Sequence, residues 1–333
     1  MKVARLHLSE SPYGPAPTAL AAAHTALDAT SVYPDPARDE LTGVLAARYG
    51  RSARHIAVAN GSDELVLLST LTLGALDRPG LTTSGTFPGY RICLESTRRG
   101  CITVPPGSAD AFAAALPGAG VAYLCNPHNP SGYAMTPGEL SGMVTAARRH
   151  DVPLVVDEAY LEFAPPEVLS VLDVAGDAPV VALRTFSKAY GLAGLRIGYA
   201  VGRTDLIAAI RGAQATMPFS VNRIGQAAAV AACHDGDHVE NVRKRNAERR
   251  DWFLAEAARR GRSCLPSVTN FVAVAVRDSA AAEALLAEEH GILVRDAGRF
   301  GFAGHLRVSL GEVDDLIRFF DALDLIEPAG SAA

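Results

Sequence analysis

The sequence predicts an α/β protein: a mainly parallel sheet covered by helices on both faces, with a smaller α+β unit beside it. Two patterns carry this expectation. Short apolar runs alternate with helical stretches across residues 37–220, the order that a crossover-connected parallel sheet requires. After residue 220 the elements follow a mixed order, which suits a separate layer. At 333 residues, 49% hydrophobic and 20% charged, the chain can bury a large core and form two domains. We assign 37–220 to a large domain, and 1–36 with 221–333 to a small one.

Taken in order, the first 35 residues are rich in turn formers, Ser11-Pro12, Gly14-Pro15 and Tyr33-Pro34-Asp35-Pro36, around an Ala-rich helix near 16–28. ARDELTGVLAARYG reads as an amphipathic helix ending at Gly50. HIAVAN is a short strand, and GSDELVLLSTLTLGAL is a helix that begins directly after it. Further strand-like runs are RGCITVP, GVAYLCN, VPLVVDEAY, PVVALRTF and LRIGYAVG, with PGELSGMVTAARRH as an intervening helix. VENVRKRNAERRDWFLAEAARRG is a helix whose dense charge is the signature of a solvated face. The tail gives a strand (TNFVAVAV), a helix (AAAEALLAEEHG), two strands (ILVRD, HLRVSL) and a last helix, DDLIRFFDAL.

Composition removes several function classes. A net charge of −5 and 6% aromatics offer no footprint for a polyanion, so nucleic acid is not an expected partner. Five scattered cysteines, Cys93, Cys101, Cys125, Cys233 and Cys264, form no Cys-x-x-Cys pair and read as reduced, mostly buried thiols. The opening MKVARLHLSESPYGP lacks the apolar core of a signal peptide. No run approaches the ~20 apolar residues of a membrane span, and a cytoplasmic location is the expectation.

Only three of the 31 basic residues are lysines: Lys2, Lys188 and Lys244. Lys188 lies in RTFSKAYGLAGLR (Arg184–Arg196), just beyond a predicted strand end, where open α/β sheets place their ligands. A lysine there can form a Schiff base if its amine is kept partly deprotonated, and nearby cationic groups help to lower its pKa. Thr185, Ser187 and Arg196 can hold a phosphate; the alternative is a turn with an exposed lysine. Asp157 ends the apolar run VVDEAY, where a buried carboxylate needs a partner such as a protonated pyridine nitrogen. Tyr160, three residues on, can donate to a phenolic oxygen. A metal-binding Asp-Glu pair or a helix cap is the alternative there. CNPHNPSG (Cys125–Gly132) is a rigid turn that can aim the Asn129 amide into a site, or a purely structural turn. Gly61, Ser62 and Asp63 stand at a strand-to-helix junction that suits a phosphate, or are a capped helix and nothing more.

Together these four strings resemble the fold-type-I pyridoxal-phosphate aminotransferases, in the branch of histidinol-phosphate and aromatic amino acid aminotransferases. The resemblance extends through Tyr33-Pro34-Asp35, GTFPGY (Gly85–Tyr90), PFSVN (Pro218–Asn222), Val294-Arg295-Asp296 and Leu306-Arg307-Val308. It implies pyridoxal 5′-phosphate as cofactor, Lys188 as its Schiff-base lysine and proton shuttle, and Asp157 as the partner of the pyridine nitrogen. Asn129 and Tyr160 would contact the phenolic oxygen, and Phe87 would stack on the ring. Gly61, Ser62, Asp63, Ser187 and Arg196 would form the phosphate cup, joined by Tyr33 from the neighbouring subunit of a homodimer. Arg307 would grip the substrate's carboxylate or phosphate, assisted by Arg295. Phe87 as a core aromatic and Arg295 as a surface charge stay open.

The implied reaction is transfer of an amino group from an amino donor to a 2-oxo acid. A decarboxylase resembling threonine-phosphate decarboxylase is the nearest alternative, and a catalytically idle cofactor-binding protein is a more distant one. Two departures touch substrate choice, not the cofactor. The family's N-terminal arm, which carries a tyrosine over the site, finds no counterpart. The opening motif reads Leu8-Ser9-Glu10-Ser11-Pro12 where the family is richer in asparagine.

Overall fold

The structure is a computed structural model that describes residues 3–328. Lys2 and the outermost ends of the expected small domain lie outside the described residues. After a two-residue β1 (Ala4–Arg5) come β2 (Ile56–Ala59), β3 (Gly80–Thr83), β4 (Cys101–Val104), β5 (Val121–Cys125), β6 (Leu154–Asp157), β7 (Val180–Thr185) and β8 (Gly198–Gly202). These last seven make one sheet in the order β2-β8-β7-β6-β5-β3-β4. All neighbours are parallel except β8, which runs antiparallel to both β2 and β7. The expected mainly parallel sheet is therefore present.

Its central strands β5 and β6 are buried and mostly apolar because both faces are covered. Along β6, Leu154 and Val156 enter one core with helix Pro137–His150, and Val155 enters the opposite core with helices Gly61–Thr72, Gly89–Ser96 and Thr204–Gln214. Helix Pro137–His150 starts at a capping box. Thr136 Oγ1 accepts from Glu139 N at 3.3 Å and Thr136 N donates to Glu139 Oε2 at 2.7 Å.

The second body contains β9 (Phe271–Ala275), β10 (Ile292–Leu293), β11 (Arg295–Asp296) and β12 (His305–Ser309). Strands β11-β12-β9 form an antiparallel sheet, and β1 pairs in parallel with β10. The single strand expected over 292–296 is thus divided between two sheets, because Val294 separates two short pairings with different partners. Phe253, Leu286, Phe319 and Phe320, from helices Gly236–Arg259, Ser279–His290 and Val313–Ile326, pack on this layer with Leu6. The charge-rich helix Gly236–Arg259 has both a solvated face, with Glu240 paired to Arg243 at 2.7 Å, and a buried one through Val242, Asn246, Phe253 and Ala257.

Helices Pro17–Leu27 and Arg223–His234 pack against each other and on the large sheet, sharing one cluster with Ile56, Phe186 and Tyr199. The expected boundaries at 36/37 and 220/221 pass through this cluster. Strand β3 and helices Gly89–Ser96 and Thr204–Gln214 have no counterpart in the sequence reading. GLTT has a glycine and two threonines in place of an apolar run, and only its two parallel neighbours make it a strand. All five cysteines are free thiols, but only Cys125 is buried and the other four are half-buried, which corrects the expectation of mostly buried thiols. Among the described residues no helix is long and apolar enough to cross a membrane.

Candidate active site

Strands β5, β6 and β7 end on one edge of the sheet with Cys125, Asp157 and Thr185. Strand β8 runs the other way, so its start brings Arg196 to the same edge, in a left-handed conformation with φ 55°. Strand β2 ends there too and leads into the N-terminus of helix Gly61–Thr72. A cavity of about 370 Å³ opens at this edge. Among its walls are twelve of the residues singled out by sequence: Ser62, Asp63, Phe87, Asn129, Asp157, Tyr160, Thr185, Ser187, Lys188, Arg196, Arg295 and Arg307.

Lys188 is half-buried, not an exposed turn residue. Its Nζ donates to the Leu8 carbonyl at 2.9 Å and lies 5.6 Å from the centroid of the Tyr160 ring. Burial, followed by the positive charge of Arg307, lowers its pKa to about 8, against the pull of Glu10 and Asp63. The amine is therefore partly neutral near neutral pH, as a nucleophile must be.

Asp157 is 6% exposed. Its Oδ2 accepts from Tyr90 Oη at 2.8 Å and its Oδ1 from Ala159 N at 3.2 Å. Burial pushes the carboxyl up to about 6, and these two hydrogen bonds oppose that rise. Glu158 belongs to a different network. It accepts from Arg184 Nε at 2.8 Å, Ser170 Oγ at 2.9 Å and Val171 N at 2.6 Å. The two carboxylates do not converge as a ligand pair, and the described residues contain no group of three or more His, Cys, Asp or Glu able to hold a metal.

One corner of the cavity is built by the start of helix Gly61–Thr72 and by Arg196. Arg196 donates to Ser187 Oγ at 3.2 Å and to Asp63 Oδ2 at 2.9 Å. Gly61 has φ +80°, and a Cβ there would fall 2.6 Å from Arg196 Nη2. Asn60 makes no side-chain cap, which leaves the first-turn N–H groups for a ligand. Thr185 Oγ1 accepts from Ser187 N at 3.1 Å and so shapes the turn before Lys188.

On the opposite wall Arg307, 5% exposed, donates to Asn129 Oδ1 at 2.7 Å and to the His7 carbonyl at 2.6 Å. The rings of Phe271 and Phe300 each lie 5.3 Å from its guanidinium carbon. The Nε atoms of Arg295 and Arg307 are buried without a hydrogen-bond partner among the described residues. Phe87 lines the cavity and packs edge-on to Tyr90, with centroids 5.4 Å apart. Tyr160 is buried, which pushes its hydroxyl up to about 12.

Tyr33 does not line this cavity: it is 74% exposed and stacks on Phe219 with centroids 4.5 Å apart. Sequence reasoning assigned no role to Tyr90, Arg299 or Phe300, nor to the backbone carbonyls of His7 and Leu8. Tyr90 stood three residues beyond Phe87 in GTFPGY, so an aromatic pair at i, i+3 was the available signal.

The family model for aminotransferase class I and II matches residues 2–323. The chain belongs to the class I and II aminotransferases. It is 34% identical to histidinol-phosphate aminotransferase 2 of Methylococcus capsulatus, over 98% of this chain and 90% of that one. It is 36% identical to the histidinol-phosphate aminotransferase of Symbiobacterium thermophilum, over 96% and 89%. The crystal structure of histidinol-phosphate aminotransferase from Sinorhizobium meliloti in complex with pyridoxal 5′-phosphate superposes with a TM-score of 0.89 at 33% identity, covering 98% of this chain and 91% of that one. These relatives favour amino transfer over the decarboxylase alternative.

The site fits the cofactor of this family. The buried Asp157 carboxylate faces the cavity, the half-buried Lys188 amine has a lowered pKa, and a Cβ at Gly61 would fill the cradle beside Arg196. The protein is a pyridoxal-phosphate-dependent aminotransferase.

Proposed function

We propose that this aminotransferase moves an amino group from an amino phosphate of the histidinol-phosphate type to a 2-oxo acid, with Lys188 as cofactor lysine and proton shuttle. The observation that carries the reading is one cavity in which Lys188 and Asp157 meet a wall of three arginines, Arg295, Arg299 and Arg307. That wall suits an anionic substrate, and the names of the relatives above support the amino phosphate.

Pyridoxal phosphate, when bound, supplies an aldehyde that condenses with amines and an electron-withdrawing ring. Asp157 holds a proton on the ring nitrogen. Tyr160 and Asn129 orient the phenolic oxygen, and Phe87 covers a ring face. Gly61, Ser62 and Asp63 present first-turn N–H groups to the phosphate, completed by Thr185, Ser187 and Arg196. Lys188 Nζ, as the proton shuttle, would take the substrate's α-proton and hold it for return to the cofactor's C4′, two bonds from the α-carbon. Arg307 grips the substrate anion with Arg295 beside it, while Asn129 fixes the Arg307 guanidinium.

The same reading makes the enzyme a cytoplasmic homodimer in which Tyr33 serves the partner's phosphate corner. Its exposure, away from this chain's own cavity, supports that role. We also divide the chain into a large unit on the seven-stranded sheet and a small unit on the β9 layer. Helices Pro17–Leu27 and Arg223–His234 go with the large one, as their shared core supports.

Spectra of single half-reactions test the reading. Histidinol phosphate and glutamate, added one at a time to the cofactor-loaded protein, are expected to bleach the cofactor's absorbance band, and histidinol without its phosphate to act far more slowly. Conversion by phenylalanine with none by histidinol phosphate would overturn the substrate assignment. A band unchanged in Lys188→Ala would overturn the role of the lysine.

A further inference from the structure

We propose that Tyr90 is a positioning residue that keeps the Asp157 carboxylate ionised and aimed at the cofactor's ring nitrogen; this rests on the role given to Asp157 above. Tyr90 is fully buried, and its hydroxyl donates to Asp157 Oδ2 at 2.8 Å. Its ring is held on two sides. It stacks on Tyr123, with centroids 5.4 Å apart and planes 10° apart, and meets the edge of Phe87 at 5.4 Å. The Tyr123 hydroxyl is in turn pinned by Ser69 at 3.0 Å and Thr70 at 2.7 Å, both on the helix that begins at Gly61. One aromatic stack thus joins the residue that covers the ring, the residue that pairs with its nitrogen and the helix that faces its phosphate.

The surroundings of Asp157 make this hydrogen bond consequential. Burial disfavours its charge, and Asp63 from helix Gly61–Thr72 and Glu158 from its own chain segment add like charge. Cys125 at the end of β5 and Tyr160 also face it, while Lys188, Arg196 and Arg307 share the cavity. The hydrogen bonds that oppose the burial are those from Ala159 N and Tyr90. The first is backbone and survives any side-chain change. Tyr90 is therefore the side chain on which the ionised form depends, since a hydrogen bond to the charged form favours it.

The test is an infrared titration of the cofactor-free protein, with the Asp157 carboxyl band assigned by its loss in Asp157→Asn. Tyr90→Phe is expected to move the midpoint upward by about one pH unit, the size of a lost hydrogen bond to a charged group. Affinity for pyridoxal phosphate should fall in parallel, by about twofold at pH 7, where the ionised fraction drops from about nine-tenths to about half, and by about tenfold well below pH 6. Tyr123→Phe deletes an equally buried hydroxyl from the same stack without touching Asp157, and is expected to leave the midpoint in place. A midpoint unmoved by Tyr90→Phe, or moved equally by both variants, overturns the proposal. If Asp157→Asn binds the cofactor as tightly as the parent protein, the ring-nitrogen role itself fails, and the Tyr90 proposal with it.

Discussion

Lys188 owes its chemistry to position. A lysine in water holds its proton to about 10.5, and such an amine is a poor nucleophile at neutral pH. Here burial, with Arg307 adding like charge, brings the value to about 8. The native chain therefore sheds this proton earlier than the unfolded one. Between about 8 and 10.5 the unfolded state binds the extra proton, so this group's contribution to stability rises with pH across that window. The rate at which cofactor-free protein captures pyridoxal phosphate should rise with pH and level off above about 8. Removing the Arg307 charge should move that midpoint upward. A rate still climbing near pH 10 in the parent protein would contradict the burial account. Gly61 shows the same dependence on place: its positive φ and its contact with Arg196 leave no room for a side chain.

Among the elements, β6 and β7 deliver Asp157 and the turn that carries Lys188, and a buried ion pair joins their ends. Glu158 follows β6, and Arg184 lies within β7 and also reaches Glu162 at 2.9 Å. Glu158→Ala would leave Arg184 buried with half its counter-charge and two donors, Ser170 Oγ and Val171 N, without their acceptor. The expected cost is about 3 kcal/mol, read as a fall in the urea midpoint. Glu158→Gln keeps an acceptor and should cost less. Most elements were legible beforehand: the apolar strands β5 to β8 and helix Pro137–His150 follow from hydrophobic pattern and capping residues. Strand β3 was not, because GLTT has no pattern of its own and is recruited by β4 and β5. The run 292–296 looked like one strand because alternation records burial but not which partner supplies the hydrogen bonds.

For the whole molecule, the cavity forms where the large sheet's carboxyl edge meets the small layer, through Arg307 on β12, Arg295 on β11 and the opening segment at Leu8. Cofactor binding should therefore stabilise the folded chain as a unit. At ~100 times its Kd, pyridoxal phosphate is expected to contribute about 2.7 kcal/mol, a rise in melting temperature on the order of 5 °C. Lys188→Ala should lose most of it; a melting temperature indifferent to the cofactor would speak against a shared site. By itself the sequence determined the sheet-and-helix alternation and singled out residues that line one cavity around Lys188. Those residues sit in short strings whose local order places them at strand ends and a helix start. Only the tertiary structure decided which distant groups meet. Arg307 reaches Asn129 across 178 residues and Tyr90 reaches Asp157 across 67, and helices Pro17–Leu27 and Arg223–His234 join the large core rather than the small one. Local periodicity encodes which face of an element is apolar. The choice of what covers that face is made by packing between segments far apart in the chain.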